Sequence, residues 1–134
     1  MTPPEAAGAS TLELANDPAL LATARLFAAS AARAAGCRED VAEDVRLAVS
    51  EACAAAMRLD PAGDAHVTIH LELSDESLEV TVSGGATSST DLIGDLAGPD
   101  DVDLVKVLFP DAAEAHVGGR KELRFSAPRF SDGD

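Results

Sequence analysis

The sequence predicts an α+β protein, a two-layer sandwich in which helices cover one face of a mostly antiparallel sheet. Three observations predict it. Two alternating runs, HVTIHLEL at 66–73 and SLEVTV at 77–82, are separated only by SDE, the pattern of an antiparallel hairpin. Residues 20–35 and 41–56 repeat their apolar side chains at helical spacing instead. The resulting order, strand, two helices, hairpin, helix, hairpin, suits a sheet with one solvated face and one helix-covered face.

Taken in order, residues 1–10 are rich in Pro, Ala, Gly and Ser and read as a flexible tail. A single domain is expected over 11–126, with a second flexible tail at 127–134. TLEL, at 11–14, is a short strand candidate. Asp17 then supplies an N-cap and Pro18 a first helical residue. Leu20, Leu21, Ala24, Phe27, Ala28, Ala31 and Ala35 make one apolar stripe, and Gly36 provides a left-handed stop. The next helix starts near Glu39 or Asp40, where Asp40 and Glu43 predict a capping-box variant. Its stripe is Val41, Val45, Ala48, Val49, Ala52, Cys53 and Ala56, and DPAG from Asp60 ends it. At about 100° per residue, Asp44, Glu51, Ala55 and Arg58 share one flank of that stripe, where they can border a pocket.

In the hairpin, Val67, Ile69, Leu71, Leu78, Val80 and Val82 should point inward and His66, Thr68, His70, Glu72, Glu79 and Thr81 outward. A long polar stretch follows at 83–101, unusual in a compact domain unless it belongs to a functional loop. DVDLVKVLF reads as a short helix ended by Pro110. AEAHV, a Gly118–Gly119 turn and KELRFSA predict the closing hairpin.

Composition narrows the function classes. A chain of 134 residues with 46% hydrophobic and 25% charged residues fits one globular domain. With no Trp, no Tyr and four Phe, its core must be closely packed Leu, Val and Ala. A net charge of −14 disfavours nucleic acid and anionic membrane and favours partners with basic patches. The opening MTPPEAAGAS has neither a basic n-region nor a long apolar run, so a cytoplasmic location is expected. Cys37 and Cys53 form no C-x-x-C pair and read as small packing residues. His66 and His70, four apart in a strand, lie roughly 13 Å apart at ~3.3 Å per residue, too far to share a metal. No Walker A, H-E-x-x-H or G-x-S-x-G signature is present.

The stretch DVRLAVSEAC, together with the ending AEAHVGGRKELRF and this element order, resembles the GHKL (Bergerat-like) ATPase fold in its small bacterial, RsbW-like anti-sigma factor form. The similarity spans roughly residues 12–126. In active members of that family a glutamate on this helix handles a water or hydroxyl, and an asparagine four residues on holds the magnesium that bridges the ATP phosphates. These positions fall on Glu51 and Ala55, so the resemblance implies a degenerate site: a methyl group cannot coordinate a hard cation. The family's Asp-x-Gly-x-Gly motif, whose aspartate accepts the adenine amino group, meets Gly84 and Ala86 here. Its Gly-rich phosphate loop is matched only by Gly94 and Gly98. No Lys or Arg occurs between Leu59 and Val105, whereas Asp91, Asp95, Asp100, Asp101 and Asp103 crowd the segment expected to face a triphosphate. Loss of ATP and magnesium binding, and with it of kinase chemistry, is the expectation.

What the resemblance then implies is partner binding: a sigma factor held away from RNA polymerase, a competing STAS-domain anti-anti-sigma factor, and a homodimer. An arginine on the family's first helix contacts partners, and Arg25 matches it, placed by periodicity beside the apolar stripe. Two alternatives stay open. One is a serine/threonine kinase that phosphorylates a STAS-domain partner, with Glu51 as base; the other is a non-catalytic interaction module whose target is not a sigma factor.

Overall fold

A computed structural model describes residues 8–58, 66–84, 99–117 and 120–130. Outside these lie Ala86, Gly94, Gly98, the acidic residues Asp91 and Asp95, the DPAG stop, the Gly118–Gly119 turn, and residues 1–7 and 131–134 of the two expected tails.

Strand β1 (Ala9–Leu14) begins two residues before the expected TLEL run, because its pairing with the strand Val67–Leu73 (β2) continues back to Ala9 opposite Glu72. Asp17 then caps the chain: its Oδ1 accepts from Ala19 N at 3.0 Å. The first turn differs from expectation. Pro18–Leu20 form a 3-10 turn, with Leu20 N donating to Asp17 O, and the α-helix proper, α1, spans Leu21–Ala34. Its end is a Schellman arrangement. Gly36, at φ 92°, donates to Arg33 O, and Cys37 N donates to Ala32 O.

Helix α2 spans Glu39–Arg58. The expected capping box does not form, because stronger partners claim both side chains. Asp40 accepts from Val41 N and from Arg38, and Glu43 is taken by Arg33 and Arg46. Arg33 also forks onto Glu39 and holds that carboxyl below its usual range. This cluster ties the end of α1 to the start of α2.

The sheet runs β1–β2–β3–β5–β4, every neighbour antiparallel, with β2 at Val67–Leu73, β3 at Ser77–Gly84, β4 at Ala113–Val117 and β5 at Arg120–Pro128. The third helix, α3 (Pro99–Leu108), starts two residues before the expected DVDLVKVLF. Alternation places Val67, Ile69, Leu71, Leu78, Val80 and Val82 in the core, joined by Leu123, Phe125 and Ala127 of β5. The helix layer meets them with small residues. Ala24, Ala28 and Ala32 of α1 lie against the Ala- and Val-rich stripe of α2, which lets the helices approach closely without large aromatics. The aromatic contribution is concentrated at one point, where Phe109 stacks on Phe125 at 4.4 Å between centroids. The architecture is thus the α+β sandwich that the periodicities predict.

Residues 127–130, expected in a tail, belong to the fold. Ala127 is fully buried, and Arg129 donates through Nε to Ala35 O at 2.8 Å and through Nη1 to Ser74 O at 2.6 Å. The last carbonyls of a helix and those of a tight turn both need donors, and one guanidinium reaches both. The arginine also lies 4.6 Å over the Phe130 ring, whose edge occupies the space beside Gly36.

Candidate functional site

Helix α2 carries two chemically different flanks on either side of its buried stripe. On one lie Asp44, Glu51, Ala55 and Arg58, partly or fully exposed as the helical spacing predicts. Among the described residues Glu51 has no side-chain partner. Desolvation, and secondarily the charges of Asp40 and Glu43, push the Asp44 carboxyl up. The next residue inward, Ala56, packs toward the end of β3. There Gly84 is buried, and a Cβ at that position would stand 3.2 Å from Val67 Cγ2, 3.3 Å from Ala56 Cβ and 3.4 Å from His66 O. At the place assigned to an adenine-accepting carboxylate, the chain thus has a glycine with Val67, Ala56 and the His66 carbonyl close beside it.

The register of β5 brings two cations to this end of the sheet. Lys121 pairs with Gly84 across the strands and so shares its helix-side face, with Nζ 3.8 Å from Glu114 Oε1. Arg120, on the outer face, donates to His66 O at 2.7 Å and Ser83 O at 3.2 Å. A scan for cations between Leu59 and Val105 misses both, because strand pairing, not sequence proximity, delivers them. Lys121 is already matched by a carboxylate and Arg120 by carbonyls, so neither compensates for the missing metal ligand. On the described residues this cradle does not fit a magnesium–nucleotide: position 55 offers a methyl group, and position 84 offers no side-chain acceptor, while a Cβ there would press on its neighbours at 3.2–3.4 Å.

The other flank faces α1. The spacing of α1 suggested that Arg25 stands outside its apolar stripe; the structure places it inside. Ala29 and Ala32 are buried as well, which widens the stripe until Arg25 falls between them on the helical wheel. Its guanidinium remains half-buried and donates through Nη1 to Ser50 Oγ at 3.0 Å. Ser50 is 6% exposed and is the one polar residue buried with the core among the described residues. Sequence reasoning passed over it because it sits in no catalytic motif. Its position, about 100° around α2 from Glu51 and in an otherwise apolar buried set, was the available signal. Arg25 thus bonds to a residue about 100° around α2 from Glu51.

Other chemistry-bearing groups form no centre. Burial pushes both thiols up, Cys53 to about 12, so they behave as packing residues. His70 Nδ1 is 2.8 Å from Thr11 Oγ1 on the outer sheet face. Among the described residues no group of three or more His, Cys, Asp or Glu is placed to hold a metal, and no helix is long and apolar enough to cross a membrane. A shallow cleft lies elsewhere, along β3, β5 and β4, with Glu79, Asp111, Glu114 and Arg124 in its lining.

Comparison with known proteins bears on this frame. The family model of the histidine kinase-like ATPase domain matches residues 14–120. No curated protein matches the chain.

Proposed function

The chain belongs to the histidine kinase-like ATPase domain family, and from that membership we propose that it is a non-catalytic, anti-sigma-type regulator of transcription. In this reading it sequesters a sigma factor by protein–protein contact in the cytoplasm, as a homodimer, and a STAS-domain antagonist competes for the same surface. It neither binds ATP nor transfers phosphate. The observation that carries the reading is the closed position 84: Gly84 is packed on Val67 and Ala56 at the site where the family's base acceptor belongs, while α2 itself keeps its length and core stripe. A frame preserved without its ligand chemistry has its surfaces left to work with. Arg25 is bonded to Ser50, about 100° around α2 from Glu51, so partner binding through it needs no nucleotide ligand.

Calorimetric titration of the full chain with Mg-ATP is expected to give no binding heat. Micromolar binding that disappears in Glu51→Ala would instead establish the residual kinase, the reading favoured by the one motif residue that remains. Titration with each purified sigma factor of the host is expected to find one that binds. Arg25→Ala should weaken that complex by about 1–3 kcal/mol if the arginine is central to the contact; an unchanged dissociation constant removes Arg25 from the interface. Binding to no sigma factor, alongside tight binding to another cytosolic protein, leaves the interaction module as the function.

A further inference from the structure

We propose that Ser50 is a positioning residue for partner recognition: its hydroxyl holds the Arg25 guanidinium at the α1–α2 seam, preset to receive a carboxylate from the partner. The inference rests on the partner-binding reading of Arg25 given above and adds a residue and a partner chemistry to it.

The first ground is the oddity of the serine. The other buried positions of α2 are Ala42, Val45, Ala48, Val49, Ala52, Cys53, Ala56 and Met57, every one apolar. Alanine at position 50 would fit the same helix with better propensity and no hydroxyl to satisfy. A buried hydroxyl in such a set needs a partner, and its partner is Arg25.

The second ground is how this chain treats its cations. Arg33, Arg38, Arg46, Lys121 and Arg124 each lie against a carboxylate of the chain itself. With 24 acidic residues against 10 basic ones, that is the easy outcome. Arg25, like Arg120 and Arg129, is held by neutral oxygen instead, but by a single side-chain hydroxyl where those two each meet at least two backbone carbonyls. A hydroxyl fixes the direction of the planar fork and leaves its charge and its other N–H groups uncommitted. Such a half-buried guanidinium suits a bidentate carboxylate, and its rotamer freedom is already restricted before the partner arrives. The neighbouring Leu26 is 67% exposed, which adds an apolar contact beside the charge. The partner segment that fits is apolar with a carboxylate.

The test compares wild type, Ser50→Ala, Arg25→Ala and the double variant, each titrated with the purified sigma factor that binds the wild-type chain. Ser50→Ala is expected to weaken binding about fivefold, the scale of losing one preset side chain. Its melting temperature should not fall, since alanine is the better helix former. In ¹⁵N relaxation the Arg25 Nε–H should become mobile in Ser50→Ala while ordered in wild type. The double variant should bind no more weakly than Arg25→Ala, because the serine acts only through the arginine.

Unchanged binding in Ser50→Ala, where Arg25→Ala weakens it, overturns this proposal and leaves the proposed function standing. A fall in melting temperature with unchanged binding gives Ser50 a structural role only and overturns it likewise. If no sigma factor binds the wild-type chain, the proposed function fails and the role of Ser50 fails with it.

Discussion

Introducing an aspartate at Gly84 is expected to destabilise the fold by about 2–4 kcal/mol, the combined scale of overpacking a tight site and burying an ill-partnered carboxylate. The side chain would start at a Cβ already within 3.2 Å of Val67 and 3.3 Å of Ala56, both on well-packed elements with little freedom to retreat. Lys121 stands across the strand but already faces Glu114, so it offers the new carboxylate only a shared cation. The same geometry determines the outcome of a reversion. A chain carrying both Ala55→Asn and Gly84→Asp regains the two family side chains, yet it is expected to show a lowered urea midpoint and no Mg-ATP heat. A double variant that unfolds at the wild-type midpoint and binds nucleotide would show that the pocket is merely unfurnished. The closure at position 84 would then carry no functional weight.

Truncating Phe125 to alanine should cost about 3–5 kcal/mol, the range for removing a buried aromatic side chain. Phe125 sits on β5 with 3% exposure and stacks on Phe109, which directly follows α3. Only four Phe and no larger aromatic serve the whole chain, so no neighbouring ring can take over the volume. Alanine there leaves Phe109 without its stacking partner and loosens the seat of α3 on the sheet. Equilibrium urea unfolding measures the loss. A change below about 1 kcal/mol would mean that the site collapses around the cavity and that α3 is held by its contacts with α2 alone.

The elements themselves were legible because each has one dominant periodicity. Alternation assigned Val67, Ile69, Leu71, Leu78, Val80 and Val82 to the core, and helical spacing assigned the stripe of α2. What local pattern could not supply was contact between segments far apart in the chain. Arg25 looked peripheral because Ala29 and Ala32 are too small to announce themselves as core residues; only the close approach of α2 buries them. Arg129 looked like part of a tail because its acceptors, Ala35 O and Ser74 O, belong to a helix end and a hairpin turn far away. Asp40 and Glu43 spelled a capping box, but the sequence carries no sign that Arg33 reaches across and competes for the glutamate. At the candidate site, the missing side chains at 55 and 84 were readable directly. That the second vacancy is packed shut was not, since it depends on how Ala56 and Val67 meet over a glycine.

The placement of β5 between β3 and β4 has a kinetic consequence. On the ribosome, β1, β2, β3 and the three described helices emerge before the strand that completes the sheet, and β3 must wait with an unpaired edge of eight residues. The apolar side chains Val80 and Val82 of that strand also lack their lateral neighbours Phe125 and Leu123 until residues 120–128 are free. Productive folding is therefore a late event that requires pairing between distant parts of the chain, which slows the search and lengthens exposure to aggregation. The excess of negative charge then has a use before any partner is met: like-charged nascent chains keep apart while the sheet lacks its inner strand.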